Sequence, residues 1–336
     1  MTWQTGRADM LALDVPYLYR IQQEAKKHRA AIFAAAVAFT LQDGVITEDE
    51  EDALALLALL LLTVRTETSV FGSETVALSR EVGMLASAQG FEYASEEARR
   101  RLHVLLRYRP IHQPIGSFAT AARIGDWPDV AEEAFRIKFG EAWRKLDQTQ
   151  PMEWRIRQSA FSAIDFLYGT PDDATRGMLT RRAMMTIHQS NLDTFRETAV
   201  SAWDTKELTG AQWRWRASLD GRACAACVQR HGQVYPLEHP FRHLHAGCRC
   251  MPELIPHNAA PIELGDDWFA KQPKHIQQRI LGIGGSVLYR EGQARLGDFV
   301  RRREDADFGI TYHNGGAAYA KKKAERREKR KRKGKQ

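Results

Sequence analysis

Much that would identify an enzyme or an exported protein is missing from this 336-residue chain. Its start, MTWQTGRADM, lacks a basic segment followed by an apolar one, so no secretory leader is expected. The most apolar stretch, ALALLALLLLTV from Ala53 to Val64, has twelve residues and follows EDEED. A bilayer span takes about 20. A buried helix is expected there, with no membrane partner. Phosphate loops ending in Lys-Ser/Thr, G-x-S-x-G elbows and H-E-x-x-H helices are all absent. The GIGG at Gly282–Gly285 follows a helical stretch and reads as a turn. Cysteine is scarce too. All four lie between residues 223 and 256, together with four of the eleven histidines. Without a leader, such a cluster argues for metal or thiols over a secretory disulfide framework.

What is present begins with charge. The formal net charge is +7, yet Lys321 to Gln336 holds eleven Lys/Arg against Glu325 and Glu328. That end carries +9 and leaves −2 for residues 1–320, so the basic character belongs to the tail. AKKKAERREKRKRKGKQ has like charges that repel and nothing to bury, so a disordered basic tail over 313–336 is expected. Non-specific contact with DNA, or with an acidic protein face, is its functional reading; a solubility tail is the plainer one. The candidate phosphate contacts are Lys321, Lys322, Lys323, Arg326, Arg327, Lys329, Arg330, Lys331, Arg332, Lys333 and Lys335. No aromatic residue is interleaved among them, so this segment offers no base stacking.

With 43% hydrophobic residues the chain can bury a sizeable core, and its length suits two or three domains. Residues 1–107 read as helical. Thr47-Glu48-Asp49-Glu50 is a capping-box candidate for the apolar helix that follows. Residues 108–128 carry prolines and read as a linker. Helices are expected over Asp129–Leu146, Pro151–Tyr168 and Arg181–Trp203, within a helical region 129–209. In the last of these, Met185, Leu192, Phe195, Ala199 and Trp203 recur at helical spacing, with His188 on the same stripe as a packed histidine. The period then changes to two. Gln212–Leu219, Gly232–Leu237 and Cys248–Ile255 read as short strands of a small β-rich module over 210–256. Residues 257–312 turn helical again, with Pro273 opening and Gly282 closing one helix. The fold class expected is mainly α with a small β-containing Cys/His module, an α+β arrangement.

Cys224 and Cys227 form a C-x-x-C hook; twenty residues later Cys248 and Cys250 form C-x-C, with His245 three positions before them. Four cysteines, or three with His245, supply the set that tetrahedral zinc requires. If Cys248 and Cys250 flank Arg249 on one strand, they share a face and both reach an ion. Small buried thiols or cross-links are the plainer alternative. A catalytic ion requires an open position and a positioned base, and nothing in Glu238 or His239 fixes one. An HNH-type nuclease is the enzymatic alternative, with His231, His239 and His243 as base or ligand. The C-x-C spacing and the lack of an asparagine between Gln229 and Cys250 speak against it.

WRASLDGRACAAC (Trp215–Cys227), then GQVYPL, then HAGCRC (His245–Cys250) resembles the signature of the tailed-phage minor head proteins, the head morphogenesis family typified by phage Mu protein F. Ala223 and Ala246 stand where that pattern has Thr and Pro. DWFAKQPKHIQQRILG with LYREG and LGDFV is similar to the segment that often follows the motif. Together they cover roughly residues 180–312. Many relatives carry Arg-Thr-Glu and an Asn on the preceding helix; this chain has Ile187-His188-Gln189 and Asn191, so no function beyond packing is transferred to it. The resemblance implies a non-enzymatic assembly role in the virion head, after a period in the host cytoplasm. The implied partners are the portal, a major capsid or scaffold protein, and packaged DNA. A structural zinc at the cysteine cluster is the cofactor expected. A free-standing zinc-stabilised nucleic-acid-binding protein is a further alternative.

Overall fold

The structure, a computed structural model, describes residues 3–41, 50–106, 124–305 and 309–333. Thr47 and most of the 108–128 linker lie outside the described residues. Ten α-helices are described: α1 (Trp3–Leu41), α2 (Glu50–Leu102), α3 (Trp127–Lys145), α4 (Met152–Tyr168), α5 (Met178–Trp203), α6 (Ala225–Arg230), α7 (Gly265–Ala270), α8 (Lys274–Leu281), α9 (Ile283–Arg290) and α10 (Gly316–Lys333). Five strands accompany them: β1 (Gln212–Arg216), β2 (Val234–Pro236), β3 (Met251–Ile255), β4 (Val300–Asp305) and β5 (Gly309–Asn314). The chain is mainly α with small antiparallel sheets, as the sequence pattern implies. No described helix is long and apolar enough to cross a membrane.

The compact units are not consecutive in sequence. One comprises Ala12–Met84 with Pro114–Asn191; the other comprises Met1–Leu11, Leu85–Gln113 and Leu192–Gln336. The long helices α1, α2 and α5 contribute to both.

The first unit is helical. Tyr17, Ile21, Ala25, Ile32 and Ala36 are buried along α1 at steps of four or seven, the spacing of one helix face. They pack with Leu60, Leu61, Val64 and Phe71 of α2, Trp127 and Phe135 of α3, and Ile164 and Leu167 of α4. The apolar run at 53–64 is thus a core helix on one side, although Leu59 and Leu62 are exposed.

In the second unit, β1 is the central strand of the order β2-β1-β3, antiparallel to both neighbours. A central strand buries both faces, and Trp213, Arg214 and Trp215 are all buried. Buried Arg214 is matched by Glu253, its register partner on β3, at 2.9 Å. Arg101 of α2 reaches the same carboxylate at 2.7 Å. The C-terminal part of α5 packs on α2 through Gly90, where a Cβ would stand 2.4 Å from the Phe195 carbonyl oxygen. Leu192, Phe195, Ala199 and Trp203 are buried as the stripe requires, but Met185 is exposed. A stripe of 3.6-residue period drifts around the helix, and Ala183 and Ile187 take the buried positions instead.

Four expectations change beyond residue 240. Cys248 and Cys250 precede β3 instead of lying on it. The segment 257–312 is not all helix, because Val300–Asp305 pairs with Gly309–Asn314 as a hairpin. Gly282 (φ 76°) alone makes the turn in GIGG, and α9 starts at Ile283. The largest correction concerns the tail. Residues 316–333 are helical, because Ala320 and Ala324, four apart, bury against Leu296 and Phe299. Lys323 Nζ also donates to the carbonyls of Gly297 and Val300, and Arg327 pairs with Asp298.

Candidate metal centre

The site forms where β1 ends and β3 begins. After β1 the chain turns at Asp220, whose Oδ1 accepts from the Arg222 N–H at 2.9 Å. Cys224 is the N-cap of α6, and its Sγ accepts from the Cys227 N–H at 3.3 Å. The C-x-x-C spacing thus puts one thiol on the cap and the other in the first turn. From the opposite side, Gly247 adopts φ 69° in the turn between His245 and Cys248, a conformation suited to glycine. Arg249 then donates two parallel hydrogen bonds to Asp220, each 2.9 Å. This fork-to-carboxylate pair ties the two cysteine segments together.

All five expected donors meet there. Cys224, Cys227 and His245 form one group, and Cys227, Cys248 and Cys250 a second, with the ligand atoms of each within 4.8 Å of one another. Cys227 belongs to both. Its Sγ lies 3.2 Å from His245 Nε2 and 3.7 Å from Cys248 Sγ. With Zn–S bonds of about 2.3 Å, sulfurs at the corners of a tetrahedron stand about 3.8 Å apart. The Cys227–Cys248 spacing fits that edge and is far too long for a disulfide, and all four thiols are free. His245 Nδ1–H donates to the Ala246 carbonyl at 2.8 Å, which leaves Nε2 as the coordinating atom. The donors can therefore hold a metal ion.

The electrostatics suit a cation. Hydrogen bonding from Cys227, with His245 beside it, pulls the Cys224 thiol down to about 5 against the effect of burial. Hydrogen bonds from Cys227 and Cys250 hold Cys248 well below the ordinary range, aided by the Arg196 charge. Hydrogen bonding to those thiolates pushes Cys227 up, and burial pushes Cys250 up. Burial would lower His245, but the Cys224 thiolate raises it to about 9. A divalent ion would displace the protons that these groups hold. The cavity against the cluster measures about 40 Å³, enough for an ion or a water.

The other three histidines of this stretch lie elsewhere. His231 is buried, accepts the Ala217 N–H on Nδ1 at 3.1 Å, and is lowered to about 4 by burial and the Arg216 charge. His239 stacks on Tyr235, with ring centres 5.0 Å apart. His243 Nδ1 faces Asp193 at 2.9 Å. Among the described residues, only His245 of the four joins a donor group with the cysteines.

Of the expected phosphate contacts, Lys321, Lys322 and Arg326 are exposed on α10. Lys323 and Arg327 are held by the fold, a correction to their assignment as free tail cations. Lys329, Arg330, Lys331, Arg332 and Lys333 continue the helix, and Lys335 lies outside the described residues. Sequence reasoning missed Arg196, buried on α5, which donates to the Cys248 carbonyl and lies 5.3 Å from the Phe241 ring centre. Its place one turn beyond Leu192 on the core stripe was the available signal. No family model, curated protein or solved structure matches the chain.

Proposed function

We propose that this chain is a minor head protein of a tailed phage or prophage, acting in head morphogenesis at or near the portal vertex, with zinc as a structural clasp. The observation that carries the reading is the Asp220–Arg249 pair. Asp220 belongs to the D-G-R half of the resembling signature and Arg249 to the C-R-C half. Their bidentate contact gives both halves of that signature one shared task, closing the cysteine site. Four cysteines and a histidine supply enough protein ligands to fill a tetrahedral site, which favours a structural role over metal-dependent hydrolysis. The implied partner is the portal, with a capsid or scaffold protein beside it. Co-expression with the portal protein encoded in the same genome should yield a complex that survives gel filtration. Failure to form it, with both proteins folded, would sink the reading.

The basic end of α10 is read as the contact to packaged DNA or to an acidic partner. Lys323 and Arg327 fix the helix, and the basic residues beyond them continue it to Lys333. Removing residues 328–336 should abolish salt-sensitive retention on duplex DNA while leaving the melting temperature unchanged. Each phosphate that is no longer neutralised should reduce the salt slope of log K by about 0.9. Unaltered retention would refute this part alone.

A further inference from the structure

A second cavity, of about 200 Å³, opens beside the sheet of the second unit. Its wall is aromatic. Tyr235 lies 4.4 Å from Trp213 and 5.0 Å from His239, centre to centre, and the three rings are within 25° of parallel. The hairpin closes the opposite side with Ile310 and Tyr312, docked by the Tyr312 N–H on the Leu244 carbonyl. The lining holds two arginines, Arg230 and Arg242, and two histidines, with no carboxylate among them. Arg302 pairs with Tyr312 across the β4–β5 ladder, and directly opposed residues share a face, so it adds charge at the hairpin side.

Two details point to a ligand with both a flat ring and hydrogen-bonding edges. His243 contributes to the lining, and its Nε2 is buried without a hydrogen-bond partner, while Nδ1 is fixed by Asp193. A buried ring nitrogen without a partner is costly unless something supplies one. The volume is also below the ~300–1,000 Å³ of sites that enclose drug-sized ligands, so it takes one ring system and leaves the rest outside.

We infer that this cavity receives one unpaired base of a single-stranded nucleic acid, stacked against the Tyr235 and His239 shelf, with Arg242 and Arg302 on its phosphates. Near-parallel rings beside cations are the arrangement by which proteins hold single strands without sequence preference. A duplex keeps its bases stacked and cannot fill the cavity, so this site differs from the electrostatic contact of α10. It does not depend on the head-protein reading, because a folded protein that ignores the portal can still bind a single strand here.

The test compares three fluorescein-labelled probes on the full chain: a thymidine oligonucleotide, an abasic strand of equal length, and a duplex with the same phosphate count. The thymidine strand should bind tightest, and the abasic strand should lack that advantage. His239→Ala, at an exposed position, should weaken the thymidine strand roughly 10-fold, as expected for one stacked base, without changing duplex binding. Arg242→Ala should weaken it less and lower its salt slope. Circular dichroism and bound-metal content must match the parent chain in both variants. Equal binding of all three probes, or indifference to His239→Ala in a folded variant, would overturn the inference. So would loss of portal capture in Arg242→Ala with oligonucleotide affinity unchanged, which would make the cavity a protein-docking site.

Discussion

The two compact units each contain a cluster of metal-ligating atoms, and the clusters are opposite in kind. In the second unit, sulfur and imidazole donors converge on Cys227. In the first, Glu24, His28 and Glu74 bring oxygen and nitrogen atoms equally close together. There, however, His28 is already clamped between Glu67 at 2.6 Å and Glu74 at 2.7 Å, and Lys27 bridges Glu74 and Glu24 at 3.1 and 3.2 Å. Lys27 and His28 already engage the carboxylates, so this cluster is a hydrogen-bonded tie between α1 and α2. Ligand types at ligand distances are therefore not enough. What separates the two is the donor set and how far it is already engaged: sulfur atoms gathered around Cys227 against carboxylates tied to Lys27 and His28.

The largest effect should come from the vertex of the clasp. Cys227→Ser should remove the bound zinc, measured by metal analysis, and cost several kcal/mol in denaturant unfolding. A chelator should lower the melting temperature of the parent chain and leave that variant's unchanged. If the chelator shifts both equally, the clasp is not the metal's home. His28→Ala should cost about 2 kcal/mol, the scale of hydrogen bonds to charged groups, and chelators should not alter that loss. Zinc dependence of the His28→Ala effect would erase the contrast between the clusters.

Acid should separate the two by smaller steps. Metal binding competes with protons on the thiols, so zinc should leave the clasp as pH falls from 7 toward 5. In the clamp, burial alone would raise Glu74, but hydrogen bonds from His28 and Lys27 hold it below its ordinary 4.5. A carboxylate depressed in the folded state contributes stability above that ordinary value and loses it as pH falls through the lower, folded one. The clamp should therefore persist at pH 5 and weaken only below 4.5. Zinc content and helix content followed through the same titration should part in that order.

The donors of the clasp were legible in the sequence because spacing alone brings Cys224 to Cys227 and Cys248 to Cys250. Strand β1 was legible too, since Trp213 and Trp215 alternate. What was not legible depended on distant pairing. Arg249 finds Asp220 across 29 residues, and Arg196 finds the Cys248 carbonyl across 52. The helix α10 was hidden for another reason. Its charge density reads as a solvated chain, while the two alanines and one lysine that anchor it are ordinary residues whose partners lie near Gly297. Met185 was misplaced because five positions at helical spacing do not reveal where a long stripe drifts off the core.

The Asp220–Arg249 pair has a consequence for the protein's history before any metal arrives. It brings together nearly the same chain ends that the cysteines bring together, so one loop is closed twice. The entropy of closing a loop depends on its length and is lost essentially once. A newly made chain that has formed this pair holds its four thiols close together, and the ion then meets a nearly assembled site instead of having to gather one. Metal binding there would be a local event, and a chain treated with chelator should retain the outline of the module.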